Sequence, residues 1–240
     1  MAENKISILS TRPLNDSLVG EAKAAGIIID VFSFIETEPI QLAEIEQQIE
    51  QAFLQSISVI FTSMSAVEAI KAKQKGQQPD WTIYCIGNTT RQLVKKYFRE
   101  ERIAGVANSA AELAKLIIEK HSINNVIFFC GNQRRDELPD LLQNNNINVK
   151  EIVVYKTHTI PHKIEKNYNG IFFFSPSGVE SFFLNNQPNK QTILFAIGDT
   201  TANELKKYSA NKIITSNEPG KEKLMKQAIE YYTTLNVKPK

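Results

Sequence analysis

Apolar residues recur along this chain in short, nearly unbroken runs, and between the runs they recur at helical spacing. Runs of this length and β-branched character read as strands. They fall at 5–10, 27–34, 57–61, 82–86, 125–129, 147–155, 168–174, 192–196 and 211–215, with a weaker one at 101–108. Amphipathic helices are expected between them. The first opens at Pro13, runs to about Ala25 and is terminated by Gly26. Another covers about Ile40 to Leu54, and others follow the strands at 57–61, 82–86 and 125–129. Ser109 is placed to cap ELAKLIIEK, and a last helix covers about 219–234.

Within this alternation lies a duplication. Residues 58–70 read SVIFTSMSAVEAI and 82–94 read TIYCIGNTTRQLV; far downstream, 171–182 read IFFFSPSGVESF and 193–205 read ILFAIGDTTANEL. Ser63 to Gly87 is a step of 24 residues, and Ser175 to Gly198 a step of 23. A second repeat overlies the first, because Ser10 to Gly26 and Cys130 to Asn146 both span 16 residues. Two copies of a five-strand unit therefore follow each other out of step, as when one unit is inserted in the other. The expected domains are 1–35 plus 160–240, and 38–156, with linkers near 33–39 and 156–162. The fold class predicted is α/β: two flavodoxin-like, doubly wound parallel-sheet domains joined by a two-stranded linker. In such sheets ligands sit beyond the carboxyl ends of the strands. The expected site is the cleft between the two domains.

The chain of 240 residues suits one large or two small domains, and 42% hydrophobic with 22% charged residues is globular. Net charge of only +2 excludes the basic field of a nucleic-acid binder, so an anionic ligand must be met by local dipoles and placed groups. Cys85 and Cys130 each sit in an apolar run and read as buried thiols. The opening MAENKISILSTRP reads as strand and turn instead of a leader, and no apolar stretch reaches membrane-spanning length. A cytoplasmic location and a monomer are expected.

The turns between strands and helices are rich in Ser, Thr, Gly and Asn: Ser10-Thr11-Arg12, Thr62-Ser63, Gly87-Asn88-Thr89-Thr90, Gly131-Asn132, Ser175-Pro176-Ser177-Gly178, Gly198-Asp199-Thr200-Thr201 and Thr215-Ser216-Asn217. Such turns present free N–H groups at helix starts, where the dipole favours an anion. The same residues serve as helix caps, and the sequence leaves both readings open. No phosphate-binding or dinucleotide glycine pattern and no nucleophile elbow occurs. His121, His158 and His162 lack metal-ligand spacing, and no cofactor is expected. The run Gln133-Arg134-Arg135 is expected to open a helix, as a solvated face or as a cation beside a bound anion. Tyr155 ends a strand just before a linker, where it serves as packing or as a phenol able to donate a proton.

Taken in order, these segments resemble the uroporphyrinogen-III synthase family. The resemblance rests on the STRP turn at 10–13, FTSMSAVEA at 61–69, CIGNTTRQLV at 85–94, CGNQRRDELPDLL at 130–142, VVYKT at 153–157, FFFSPSGVESF at 172–182 and IGDTTANEL at 197–205. It implies cyclisation of hydroxymethylbilane, a linear tetrapyrrole with many carboxylates, into uroporphyrinogen III. Water is lost, the last pyrrole ring is inverted, and no cofactor is needed. By this resemblance Tyr155 is the proton donor. Thr62, Ser63, Thr90, Ser175, Ser177 and Thr201 line the cleft, and Arg12 and Arg135 pair with substrate carboxylates. The family often carries Asn or Arg two residues after the FTS-type serine; here Met64-Ser65 follow, which argues against a side-chain carboxylate contact there and leaves the backbone contact open. The rival reading is a non-catalytic two-domain protein that binds a small anion. A phosphate-accepting receiver domain is disfavoured, because the strand ends lack clustered aspartates.

Overall fold

The computed structural model describes residues 5–218 and 220–236. In chain order the elements begin with β1 (Ile6–Ser10), α1 (Asp16–Ala24), β2 (Ile27–Val31), β3 (Ile35–Pro39), α2 (Ala43–Phe53), β4 (Ile57–Phe61) and α3 (Met64–Lys73). Next come β5 (Trp81–Ile86), α4 (Asn88–Phe98), β6 (Ile103–Ala107), α5 (Ala110–Ile118), β7 (Asn125–Gly131), α6 (Glu137–Gln143) and β8 (Asn148–Thr159). The chain closes with β9 (Gly170–Phe173), α7 (Pro176–Phe183), β10 (Ile193–Ala196), α8 (Asp199–Tyr208), β11 (Ile213–Thr215) and α9 (Lys221–Asn236). Two compact units divide it, residues 1–36 with 158–240 and residues 37–157.

The first unit holds a parallel sheet in the order β11-β10-β9-β1-β2. The second sheet runs β3-β8-β7-β4-β5-β6, parallel from β8 to β6. Numbered by position, both contain the order 2-1-3-4-5. In the first sheet these are β2, β1, β9, β10 and β11; in the second they are β8, β7, β4, β5 and β6. The second copy places its last three strands before its first two along the chain. β3 pairs with β8 in the opposite sense: Ile160 N–H donates to Phe34 O at 2.8 Å and Ile40 N–H to Val154 O at 2.9 Å.

The central strands are apolar on successive residues because helices cover both sheet faces. β9 (GIFF) is buried throughout, as is β7 (NVIFFCG) after Asn125. In the first unit Ile8, Phe172 and Phe195 pack on Leu18 of α1 and Leu224 of α9, whereas Leu9, Ile171 and Phe173 pack on α7 and α8. In the second, Val59, Phe61, Ile127 and Phe129 face α2, α3 and α4, and Ile60, Val126 and Phe128 face α5 and α6. Trp81 anchors the former layer. Its ring stacks on Phe53 with centroids 5.0 Å apart, and its indole N–H donates to Ala52 O at 2.9 Å, which satisfies the one polar atom the ring brings inside.

Several elements depart from expectation. α1 opens at Asp16 instead of Pro13, because Asn15 accepts from Leu18 N–H at 2.9 Å and so supplies a side-chain cap. The run 27–34 is broken after Val31: Phe34 turns into the core against Phe182, and β3 leaves to pair with β8. Gln133-Arg134-Arg135 lies in the turn before α6 and does not open it. The expected start of the last helix, Pro219, lies outside the described residues, as do residues 1–4 and 237–240. Among the described residues no helix is long and apolar enough to cross a membrane.

Candidate active site

The parallel registers bring each unit's strand ends to one level. In the second unit Phe61 lies beside Cys85 and Phe129, and Gly131 lies beside Tyr155. The turns holding Thr62, Ser63, Thr90 and Arg135 therefore share one sheet edge with Tyr155. In the first unit Ser10 lies beside Phe172, and Phe173 beside Ala196. That register brings the turns of Arg12, Ser175, Ser177 and Thr201 to one edge of their own sheet.

Capping repeats between the units. Ser63 accepts from Ala66 N–H at 3.2 Å, and Ser175 from Gly178 N–H at 3.2 Å. Ser175 Oγ also lies 3.3 Å from Ser177 Oγ. Each serine thus satisfies one helix N–H and leaves the others of the first turn directed at the rim. Thr62 is half-buried beside its cap. Thr90 and Thr201 are only 5% and 2% exposed. One helical step of about 100° separates neighbouring residues, and the preceding threonines, Thr89 and Thr200, are the exposed members of each pair. The sequence does not distinguish the two threonines, because the difference is rotational phase against the sheet.

The cations also divide. Arg134 pairs with Glu151, including a 2.9 Å bond from Nη2 to Oε1, and with Asp136. Burial works against its charge, but the two carboxylates outweigh it and raise its pKa. Arg135, next in sequence, is exposed and makes no ion pair among the described residues. Arg12 is half-buried after β1. Near it stands Lys221, which the sequence reading missed. Its ammonium donates to Pro13 O at 2.7 Å and lies 5.6 Å from the Phe174 ring centroid. Burial, then the charge of Arg12, lowers its pKa, with Glu222 opposing. The available signal was a lysine directly after Gly220 at a helix start.

Tyr155 is set by an irregularity in β8. Cys130 pairs with Val153 and Gly131 with Tyr155, so Val154 is an extra residue. Alternation sends Ile152 and Val154 to the α2–α4 layer and Val153 to the opposite one; the bulge returns Tyr155 to the side of Val154, half-buried. Its ring covers Gly131: a Cβ built there would meet Cζ at 2.4 Å, Cε2 at 2.6 Å and the phenol oxygen at 2.7 Å. Asn132 holds the strand just past the ring, its N–H donating to Tyr155 O at 3.1 Å and its Oδ1 accepting from Thr157 N–H at 2.8 Å. The cysteines sit inside. Burial pushes Cys85 up to about 11 and Cys130 up to about 12, which leaves both thiols protonated at neutral pH.

Comparison with known proteins agrees across nearly the whole chain. A family model described as uroporphyrinogen-III synthase HemD matches residues 16–226. A uroporphyrinogen-III synthase of Saccharomyces cerevisiae is 25% identical over 208 residues, covering 72% of this chain and 75% of that protein. Two crystal structures share the fold. A mutant uroporphyrinogen III synthase of Thermus thermophilus has a TM-score of 0.69 at 15% identity, covering 96% of this chain and 99% of its own. The Helicobacter pylori 26695 uroporphyrinogen-III synthetase has a TM-score of 0.66 at 16% identity, covering 94% and 99%.

Proposed function

The chain belongs to the uroporphyrinogen-III synthase family, and on that premise we propose which of its residues carry the reaction. It is a cyclising lyase of tetrapyrrole biosynthesis. It closes hydroxymethylbilane into uroporphyrinogen III, losing water and inverting the last pyrrole ring. The rival reading, a non-catalytic anion-binding protein, is not favoured by a family match that spans 16–226.

The substrate supplies much of its own reactivity. Push from a pyrrole nitrogen expels the terminal hydroxyl and leaves an azafulvene. Attack through the already substituted carbon of the last ring gives a spiro intermediate, which rearranges to the inverted product. The protein's tasks are to hold the flexible chain in the pose that favours this attack and to protonate the departing hydroxyl. We assign the proton to the phenol of Tyr155, which leaves with the hydroxyl as water. The observation that carries this assignment is its ring over the side-chain-free Gly131, level with the end of β7.

The carboxylates fall to the helix-start N–H groups behind Thr62-Ser63 and Ser175-Ser177, helped by the hydroxyls of Thr62, Ser63, Ser175 and Ser177. Arg12 and Arg135 pair with further carboxylates. Thr90 and Thr201 act through the backbone of their turns, with Thr89 and Thr200 offering the outward hydroxyls. The two units act as flavodoxin-like domains, bounded near 35–38 and 156–160 and joined through β3 and β8. Support for that reading is the strand order 2-1-3-4-5 common to both. The test is to supply hydroxymethylbilane and resolve the product isomers by chromatography. Rapid formation of the inverted isomer is expected; the uninverted isomer alone, at the uncatalysed rate, rejects the assignment.

A further inference from the structure

We propose that Gly131 and Asn132 are positioning residues that aim the Tyr155 phenol. The inference rests on Tyr155 being the proton donor. Gly131 is not among the glycines with positive φ, so its backbone accepts any residue. What forbids a side chain there is the Tyr155 ring, whose Cζ, Cε2 and hydroxyl lie 2.4–2.7 Å from the place a Cβ would take. The clash falls on the far end of a half-buried side chain, so the ring yields before the backbone does. An alanine at 131 therefore displaces the hydroxyl and spares the fold.

Asn132 fixes the other coordinate. The β7–β8 ladder ends at Gly131 and Tyr155, and beyond that point β8 would otherwise lose its partner on the β7 side, keeping only β3 on the other. Asn132 extends the pairing by two bonds, its backbone N–H donating to Tyr155 O and its Oδ1 accepting from Thr157 N–H, both on the C-terminal side of the bulge at Val154. Only the second bond uses the side chain. A ring at a rim with its strand anchored at 155 and 157 has little freedom to wander.

Gly105 offers a structural control. A Cβ there would meet Cδ1 of Tyr84 at 2.8 Å, but Tyr84 is a core ring, 2% exposed. Gly105→Ala should lower the melting temperature and leave kcat of the folded enzyme unchanged. Gly131→Ala should do the reverse. We expect kcat to fall about tenfold or more, since small displacements of an aligned group cost that much, with KM within about twofold. Asn132→Ala should lower kcat about threefold, and Asn132→Asp, which keeps the acceptor, should restore it.

The deciding measurement sets Gly131→Ala in the full chain with and without Tyr155→Phe, reading kcat, KM and product isomers from hydroxymethylbilane. In the Tyr155→Phe background the glycine change should alter kcat less than about twofold, because no phenol proton remains to be misplaced. An equal loss in both backgrounds, or unaltered kcat in Gly131→Ala, overturns the inference. If Tyr155→Phe is slow while Gly131→Ala is not, the positioning inference alone falls. If Tyr155→Phe itself turns over normally, the donor assignment falls and this inference with it. Should Gly131→Ala not fold, the Asn132 pair decides: equal kcat in Asn132→Ala and wild type rejects the positioning role.

Discussion

The two units carry the same turn at their first-position strands, and they use it differently. After β1 comes Thr11, whose hydroxyl turns inward to donate to Phe172 O at 2.7 Å. After Cys130 in β7 comes Gly131, with no side chain. The helices that follow end alike, at Gly26 and Asn146, both with positive φ. Phe34 then follows Gly26 at a spacing one residue shorter than that of Tyr155 from Asn146, the difference being the bulge at Val154. Phe34 is fully buried, packed edge-on to Phe182. Tyr155 is half-buried with a hydroxyl. One copy fills this place with core; the other opens it, by a glycine and an inserted residue, for a phenol. Duplication supplies two sets of helix-start donors, whereas the group assigned to chemistry belongs to one unit.

This division can be broken first at Tyr155. Tyr155→Phe should lower kcat about 100-fold, within the usual range for losing an acid catalyst, with KM within about twofold and the melting temperature unchanged. Next is Arg12 of the other unit. Arg12→Ala should raise KM about tenfold and leave kcat within about twofold, as expected for uniform binding. A kcat loss matching that of Tyr155→Phe would show that both units share the chemistry.

Smaller effects sharpen the comparison. Ser63→Ala and Ser175→Ala remove matched caps and should each cost about 1 kcal/mol, lowering the melting temperature by about 2–4 °C with activity within about threefold. A much larger loss of activity at either would make that hydroxyl a substrate contact beyond its cap. Smallest is an alkaline asymmetry. Both thiols lie in the second unit, raised by burial from 9.0 to about 11 and about 12. The unfolded chain loses those protons first, so their stabilisation is complete below pH 9 and declines as pH rises toward 11 and 12. Native protein at pH 9 should show no thiol reactive to Ellman's reagent, and two on denaturation; a thiol reactive in the native state contradicts the burial.

Particular residues show what was readable. The buried runs of β7 and β9 stand in the sequence as unbroken apolar strings because both faces of each sheet are covered. Ser63, Ser109 and Ser175 announced their helices because a cap is a local bond reaching three residues along the chain. The 24- and 23-residue steps gave away the duplication. Among the candidate site residues, Tyr155 is proposed from the resemblance of VVYKT, but which threonine of each TT pair faces outward was not legible. Nor was the pairing of Arg134 with Glu151, seventeen positions away, which leaves Arg135 as the exposed cation. Lys221 went unnoticed because its partner, Pro13, lies 208 residues off.

The alternation of strands and helices, the capped turns, the repeat and its order, and the family are all written in local spacing or in ordered motifs, and so were legible along the chain. The tertiary structure decided where the strands break, which hydroxyls and cations reach the rim, and that Gly131 is bare because a ring covers it. Those outcomes depend on register and rotational phase between segments far apart in the chain. A one-residue bulge is enough to turn a side chain from one face of a sheet to the other.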